Sequence, residues 1–472
     1  MSDSSIIQND DQSEFFSLRE RILNLGRIVS YTILLIAGIS SNVVMLNFAL
    51  IILTLSIPLM GYILKDIEKF EGEKMKQVNR KYIAIIAFLR KFMSVFFSLF
   101  FNIYILKIVN NDLNFILKYT VYSVFLGMLL EYILLKIINS RNASYIYRLS
   151  FVLSAISIFV LIIFKENIIK YIYLFKTLDT MRSCFYAVPY ELIIIGSNTN
   201  KSMSSYLANL NILENITAIL TPVFSGFIIE RFSYNVLFLI LGVETILIIV
   251  ISMKIKDFTV QDKKMNIKEF WKIAKNKPHL KDIYKCMFFR RISAQGAMTE
   301  LLPIVLFLRL GTEMSFGSYN TLFAAIAIIS LQILKMINNK KINKKFYPYM
   351  AIVIFISSLF VVFNASFVTL LIYYILMNSF GTIIESESCS AVYASIKVDE
   401  LEKYRKEHML IFNIYMFIGQ VISYSLVYVL YNYFYNVNIL SITISILMFF
   451  LIIAAIYLRK TEQYLYENMN KF

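Results

Sequence analysis

The side chains able to do chemistry in this sequence are charged and amide groups embedded in long apolar runs. Arg182 stands three residues after Asp179, with Lys176 one turn before it, in the stretch 168–192. Asn211, Glu214 and Asn215 share one helical face in the run at 205–229, and Gln295, Thr299 and Glu300 flank Gly296 and precede Pro303 in the run at 284–308. Gln420 lies within 409–431, while Arg90, Arg290, Glu385 and Glu387 fall nearer the ends of their runs. Ionisable groups inside a spanning helix are costly, so they face a cavity or a partner. A carboxyl at the depth of Glu300 can load and release a proton, which makes it the expected proton carrier. Arg182 has two readings, an internally neutralised pair with Asp179 or a five-donor fork for a carboxylate or phosphate. Arg90, Arg290, Glu385 and Glu387 are expected to form a gate at one end.

Other chemistries are excluded by residue type. Only His279 and His408 are present, and Cys184, Cys286 and Cys389 form no C-x-x-C pair, so neither a metal site nor a disulfide framework is expected. There is no G-x-x-x-x-G-K-[ST] loop to cradle a nucleotide. No cofactor and no catalytic set is expected. An enzyme embedded in the membrane would want an acidic pair in a large outer loop, and the outer connections here are short.

The elements that position these groups follow from composition. The 472 residues are 58% hydrophobic and 17% charged, against roughly 45–50% and 25% in soluble domains. Apolar runs occur at 22–40, 43–64, 82–107, 116–138, 147–164, 168–192, 205–229, 233–254, 284–308, 315–337, 346–363, 366–392, 409–431 and 436–458. Each is about 20 residues long, enough for a helix to cross a bilayer. Continuous rather than alternating hydrophobicity excludes barrel strands, so the fold class is an all-α polytopic membrane protein of about 14 helices. The net charge of +16 is gathered in every second loop, notably 65–81, 252–285, 335–345 and 397–408, while the alternate connections are nearly bare. That is the pattern of cytoplasmic loops, and it reads as topology rather than nucleic-acid binding. Both termini are placed inside. The acidic stretch 1–21 lacks the basic start of a signal peptide and is expected to be a disordered cytoplasmic tail.

A weak repeat divides the chain. Lys81, Ile83, Phe88 and Arg90 recur 200 positions later as Lys281, Ile283, Phe288 and Arg290. Leu135-Lys136 and Ile138-Asn139 return as Leu334-Lys335 and Ile337-Asn338, and Ala187-Val188 as Ala391-Val392. The runs at 82–254 and 284–458 are therefore two six-helix halves, joined by a basic cytoplasmic connector at 255–283. This architecture resembles the major facilitator superfamily. Thr221-Pro222-Val-Phe-Ser225-Gly226, followed by Tyr234-Asn-Val-Leu-Phe238, is similar to that family's G-P-x-x-x-G … W-R-x-x-F pattern, with Pro222, Gly226 and Phe238 matching. The family's G-x-x-x-D-[RK]-x-G-[RK] loop is replaced by Lys136-Ile-Ile-Asn-Ser-Arg141-Asn.

The resemblance implies a secondary active transporter that works by alternating access, and leaves the coupling mode and the substrate open. With Glu300 as the proton carrier, the expectation is a proton-coupled carrier of a small organic solute, a monomer in a bacterial plasma membrane. A drug or lipid exporter, and a transporter-like sensor or assembly protein, are the alternatives; the partners are the solute, the bilayer and protons. The hairpin at 22–64 and the linker at 65–81 precede the duplication, and 459–472 forms a cytoplasmic tail. A single cysteine placed in 65–81 or in 255–283, in a cysteine-free background, should escape an impermeant thiol reagent in intact cells. Labelling of either from outside would overturn the helix count.

Overall fold

The computed structural model describes residues 74–139, 142–197, 200–255, 265–338, 346–364, 366–397, 401–433 and 439–469. The hairpin expected at 22–64 lies outside them. All regular structure among the described residues is helical. The first half comprises α1 (Lys74–Leu99), α2 (Phe101–Ile108), α3 (Leu113–Ile137), α4 (Ala143–Phe164), α5 (Ile172–Ser197), α6 (Asn200–Arg231) and α7 (Tyr234–Ser252). After a short α8 (Ile267–Ala274), the second half comprises α9 (Pro278–Ile292), α10 (Met298–Leu310), α11 (Glu313–Asn338), α12 (Phe346–Phe363), α13 (Phe367–Leu376), α14 (Thr382–Lys397), α15 (Arg405–Tyr433) and α16 (Ile439–Met469). Nine described stretches are long and apolar enough to cross a bilayer, and one of them, Ala143–Tyr190, has 48 residues, sufficient for two crossings.

Local chemistry sets the helix ends. Asn110 and Asn111 take the left-handed φ values of 54° and 66° that turn the chain, and Asp112 then caps α3 by accepting from Asn114 N at 3.0 Å. Ser233 caps α7 and Ser366 caps α13 in the same way. Gly311, at φ 77°, closes α10.

Three apolar runs turn out to be interrupted, and two extend well beyond their expected bounds, α16 at its end and α1 at its start, where Lys74 lies inside the linker expected at 65–81. The run at 82–107 is divided at Phe100 into α1 and α2. The run at 366–392 contains a π-helical stretch, Met377–Gly381, between α13 and α14; such stretches recur at functional sites. The run at 284–308 is broken across 293–297, between α9 and α10. Gly296 lies in that break, where an added Cβ would collide with the Arg291 carbonyl and the Ser423 side chain. The Ser423 hydroxyl accepts from Ala297 N at 2.9 Å and donates to Ile292 O at 2.8 Å. One side chain on α15 thus serves backbone groups at both broken ends, which would otherwise be unsatisfied in an apolar setting. The stretch expected as a tail from 459 continues α16 to Met469.

The halves meet through α6 against α11 and α3 against α15, with α1 and α2 touching α10. Gly226 faces the Glu313 backbone and Gly317 faces the Pro222 carbonyl, in each case where a Cβ would not fit. Small residues allow this backbone contact between spanning helices. Within the first half, Phe96, Tyr104 and Phe238 pack edge to face, with Phe238 5.8 Å from Phe96 and 5.3 Å from Tyr104. Ser423→Ala should cost about 1–3 kcal/mol by orphaning buried backbone groups. A lower melting temperature of the detergent-purified protein would register it; unchanged stability would mean that the break is held by other contacts.

Candidate functional site

The helix break places Glu300 in the first turn of α10, where the positive end of a half-helix favours a carboxylate. Across the interface stands Asn102 on α2, which is 5% exposed. Its Nδ2 donates to the Glu300 carboxylate. The amide is oriented by Tyr119 on α3, whose hydroxyl donates to Asn102 Oδ1 at 2.6 Å. With its oxygen so engaged, Asn102 turns its donor side toward Glu300. Tyr119 is fully buried, so this contact between the halves is rigid on the first-half side.

Below it, α5 supplies three charges. Arg182 Nε donates to Asp179 Oδ1 at 2.7 Å, and Lys176 Nζ lies 3.7 Å from Asp179 Oδ2. The α-helical i, i+3 spacing brings each cation onto the same carboxylate. Aromatic faces cover what remains of the cations: Arg182 lies 4.4 Å from the Phe97 ring centroid, and Lys176 lies 4.6 Å from Phe101 and 5.1 Å from Tyr119. Tyr119 links these charges to Glu300, since Lys176 lies over its ring while its hydroxyl orients the amide that holds the Glu300 carboxylate. Thr299 donates to Gly296 O at 2.7 Å beside Glu300, and Gln420 stands on α15 one turn before the buried Tyr424. The cluster therefore holds two cations and two carboxylates, three charges from the first half and one from the second.

The expected gate residues separate into distinct sites. Arg290, 3% exposed, donates to the Glu385 main-chain oxygen at 2.9 Å and to Gln295 Oε1 at 2.7 Å, while Gln295 Nε2 donates to the Glu385 carboxylate. Arg290, Glu385 and Gln295 are thus together, on the second half. Arg90 stacks on Tyr186, 3.3 Å from its ring centroid, and Glu387 accepts from Tyr347 at 3.1 Å. Glu214 lies 3.9 Å from Lys91. The side chains of Asn211 and Asn215 lie outside the described residues.

Contacts between the halves also occur at both ends. Away from the basic loops, Glu313 accepts from Lys107 and from Tyr234, the latter at 3.2 Å. Asn114 and Asn432 exchange hydrogen bonds at 2.9 and 3.1 Å, and Glu230 accepts from Met314 N at 3.0 Å. On the side of the basic loops, Asn413 donates to Glu131, and Lys406 donates to Ile138 O at 3.1 Å. Glu131, Glu313, Asn413 and Tyr119 were not singled out from the sequence. Glu131, alone among them, is a carboxylate well inside an apolar run and could have been found by that signal.

Two helical halves with a charge-balanced cluster where they meet have the build of a membrane transporter. The profile of the Major Facilitator Superfamily matches residues 83–423, and the chain belongs to that superfamily. Among solved structures, it is similar to a bacterial homologue of the human lysosomal transporter Spinster in an inward-facing, unoccupied conformation. The TM-score is 0.56 at 12% identity, covering 84% of this chain and 99% of the other. It is likewise similar to a bacterial metal transporter, with TM-score 0.56 at 10% identity, covering 83% and 100%. No curated protein matches the sequence.

Asp179→Asn should leave Lys176 and Arg182 with only Glu300 to balance them, at a cost of roughly 3–5 kcal/mol for an uncompensated buried charge. Adding Arg182→Gln restores neutrality and should recover part of that loss. Thermal melts of the single and double variants check this; a double variant less stable than Asp179→Asn would contradict it.

Proposed function

We propose that the chain is a secondary active transporter that moves a small organic solute by alternating access, with Glu300 as the proton-coupling group. The observation that carries this reading is the hydrogen bond from Asn102 on one half to the Glu300 carboxylate on the other. Protonation of Glu300 has two consequences. It removes the charge that makes this hydrogen bond strong, and it leaves Lys176, Asp179 and Arg182 with one surplus positive charge. A solute bearing an anionic group then balances the cluster, taking part of the Arg182 fork and the Lys176 ammonium. Proton and solute thus enter together, which favours symport. Return of the emptied carrier follows when Glu300 deprotonates and regains Asn102 and the cationic group opposite.

Several features support the remaining parts of the reading. Contacts between the halves at both ends, Lys107 with Glu313 and Asn413 with Glu131, supply the two gates that alternating access requires to break in turn. The basic loops favour a cytoplasmic assignment for their side of a bacterial plasma membrane, with both termini on that side. The residues at the site bind and position rather than make or break covalent bonds, so the protein is read as a transporter and not an enzyme, and as a monomer whose pathway lies within one chain.

Spin labels test the coupling without knowledge of the solute. One pair replaces Lys118 and Tyr433 on α3 and α15, and a second replaces Tyr145 and Tyr349 on α4 and α12; all four positions are exposed. Acidification should shift the distance distributions of the two pairs in opposite senses, and Glu300→Gln should hold the acidic distribution at every pH. Distances in Glu300→Gln that still follow pH as in the unaltered protein would remove Glu300 from the coupling role.

A further inference from the structure

The helix α8, in the connector between the halves, has an inner face that the protein uses and an outer face that the fold leaves open. Inward, Phe270 is 0% exposed and Ala274 1%. Phe270 lies 5.6 Å from the Tyr404 ring and 6.2 Å, edge to face, from His408. Asn266 N donates to the Glu407 carboxylate at 2.7 Å, and Tyr404 donates to Glu269. These contacts pin α8 to the start of α15. Outward, Lys268, Trp271, Lys272 and Lys275 follow one another at i, i+3, i+4 and i+7, a single helical stripe, and all four are exposed. Trp271 is the only tryptophan of the protein and is 44% exposed. The one acidic residue of α8, Glu269, is occupied by Tyr404 and by Asn266 Nδ2 at 2.9 Å.

The depth of α8 follows from the helices beside it. His279, at the start of α9, stacks on Tyr464 with centroids 4.2 Å apart. From Ile439 to Tyr464, α16 climbs about 38 Å at roughly 1.5 Å per residue. The hydrocarbon core is only about 30 Å thick, so His279 enters at the level of the lipid headgroups. Three residues, Lys275 to Lys277, separate α8 from α9, and the four Cα steps across them, at about 3.5 Å each, keep the end of α8 within roughly 14 Å of that level.

We infer that the outer face of α8 is a docking site for anionic phospholipid headgroups, with Trp271 seated at the interface and Lys268, Lys272 and Lys275 on the phosphates. An aromatic ring with an apolar body and one N–H donor is suited to the headgroup zone. Each lysine near an anionic surface raises local partitioning about fivefold. A helix of eight residues is too small to seat a folded partner, which needs roughly 800 Å² per side, whereas a headgroup needs one lysine. The inference rests on the membrane embedding of α9 and α16 and is independent of the proton role of Glu300.

The single tryptophan supplies the readout. The full chain is placed in nanodiscs of phosphatidylcholine alone or of phosphatidylcholine with phosphatidylglycerol, each with or without lipid brominated just below the headgroup. Trp271 emission should lie further to the blue in the anionic discs, and bromolipid quenching there should be about twofold stronger, declining with added salt. Replacing all three lysines, Lys268→Gln, Lys272→Gln and Lys275→Gln, changes exposed groups only and should abolish the difference between the two lipids without altering the melting temperature. Trp271→Phe removes the signal and identifies its source. Two outcomes would overturn the proposal. Equal emission and quenching in both lipids would remove headgroup selection, and free access of an aqueous quencher in anionic discs would turn the face toward water and toward an acidic protein.

Discussion

The structure depends on keeping charge balanced in a partly buried site between its two halves. Lys176, Asp179, Arg182 and Glu300 sit together among aromatic rings, and a single unbalanced charge in such a setting is expensive. With Glu300 ionised, the four charges sum to zero only across both halves, because Lys176, Asp179 and Arg182 carry one surplus positive charge and the second half supplies Glu300. The contact between halves is therefore electrostatically conditional. Any event that changes the charge of Glu300, or brings another anion to α5, alters how strongly the halves hold together at their centre.

The rest of the fold permits that conditional contact. Breaking the run at 284–308 puts Glu300 at the start of a half-helix, and Ser423 satisfies the backbone on both sides of the break. Tyr119 fixes the amide that reads Glu300. Elsewhere the halves approach through glycine, at Gly226 and Gly317, where backbone lies on backbone and no side chain intervenes. Packing between spanning helices gains little from the hydrophobic effect, since lipid is equally apolar. Close van der Waals contact at the glycines and polar contact at the centre and ends supply the attraction instead.

Much of this was legible in the sequence, because bilayers impose simple rules on composition. The apolar runs, the alternating basic loops and the faint repeat gave the two halves, and Pro222 with Gly226 marked a helix that packs closely. The charged residues at the centre were visible as anomalies, and the i, i+3 spacing of Asp179 and Arg182 put them within pairing distance, one of the two readings that the sequence left open for Arg182. Partners from distant segments were not legible. Nothing local to Glu300 points to Asn102, nothing in Glu385 distinguishes Arg290 from Arg90, and Ser423 has no sequence feature that marks it as a bridge. The interruption at 293–297 escaped because hydropathy averages over a whole run, whereas a helix break depends on one or two backbone groups and on what satisfies them. Trp271 escaped for another reason: its meaning comes from the depth of its helix, which only the packing of α9 on α16 defines.

In the proposed cycle Glu300 takes up and releases the proton that governs the contact between the halves. Infrared difference spectroscopy of the protein in lipid, between acidic and alkaline pH, reads carboxyl protonation directly. A carbonyl stretch of a protonated carboxylic acid should grow on acidification and be missing from Glu300→Gln. A difference spectrum unchanged in that variant would place the titrating carboxyl elsewhere and remove Glu300 from that role.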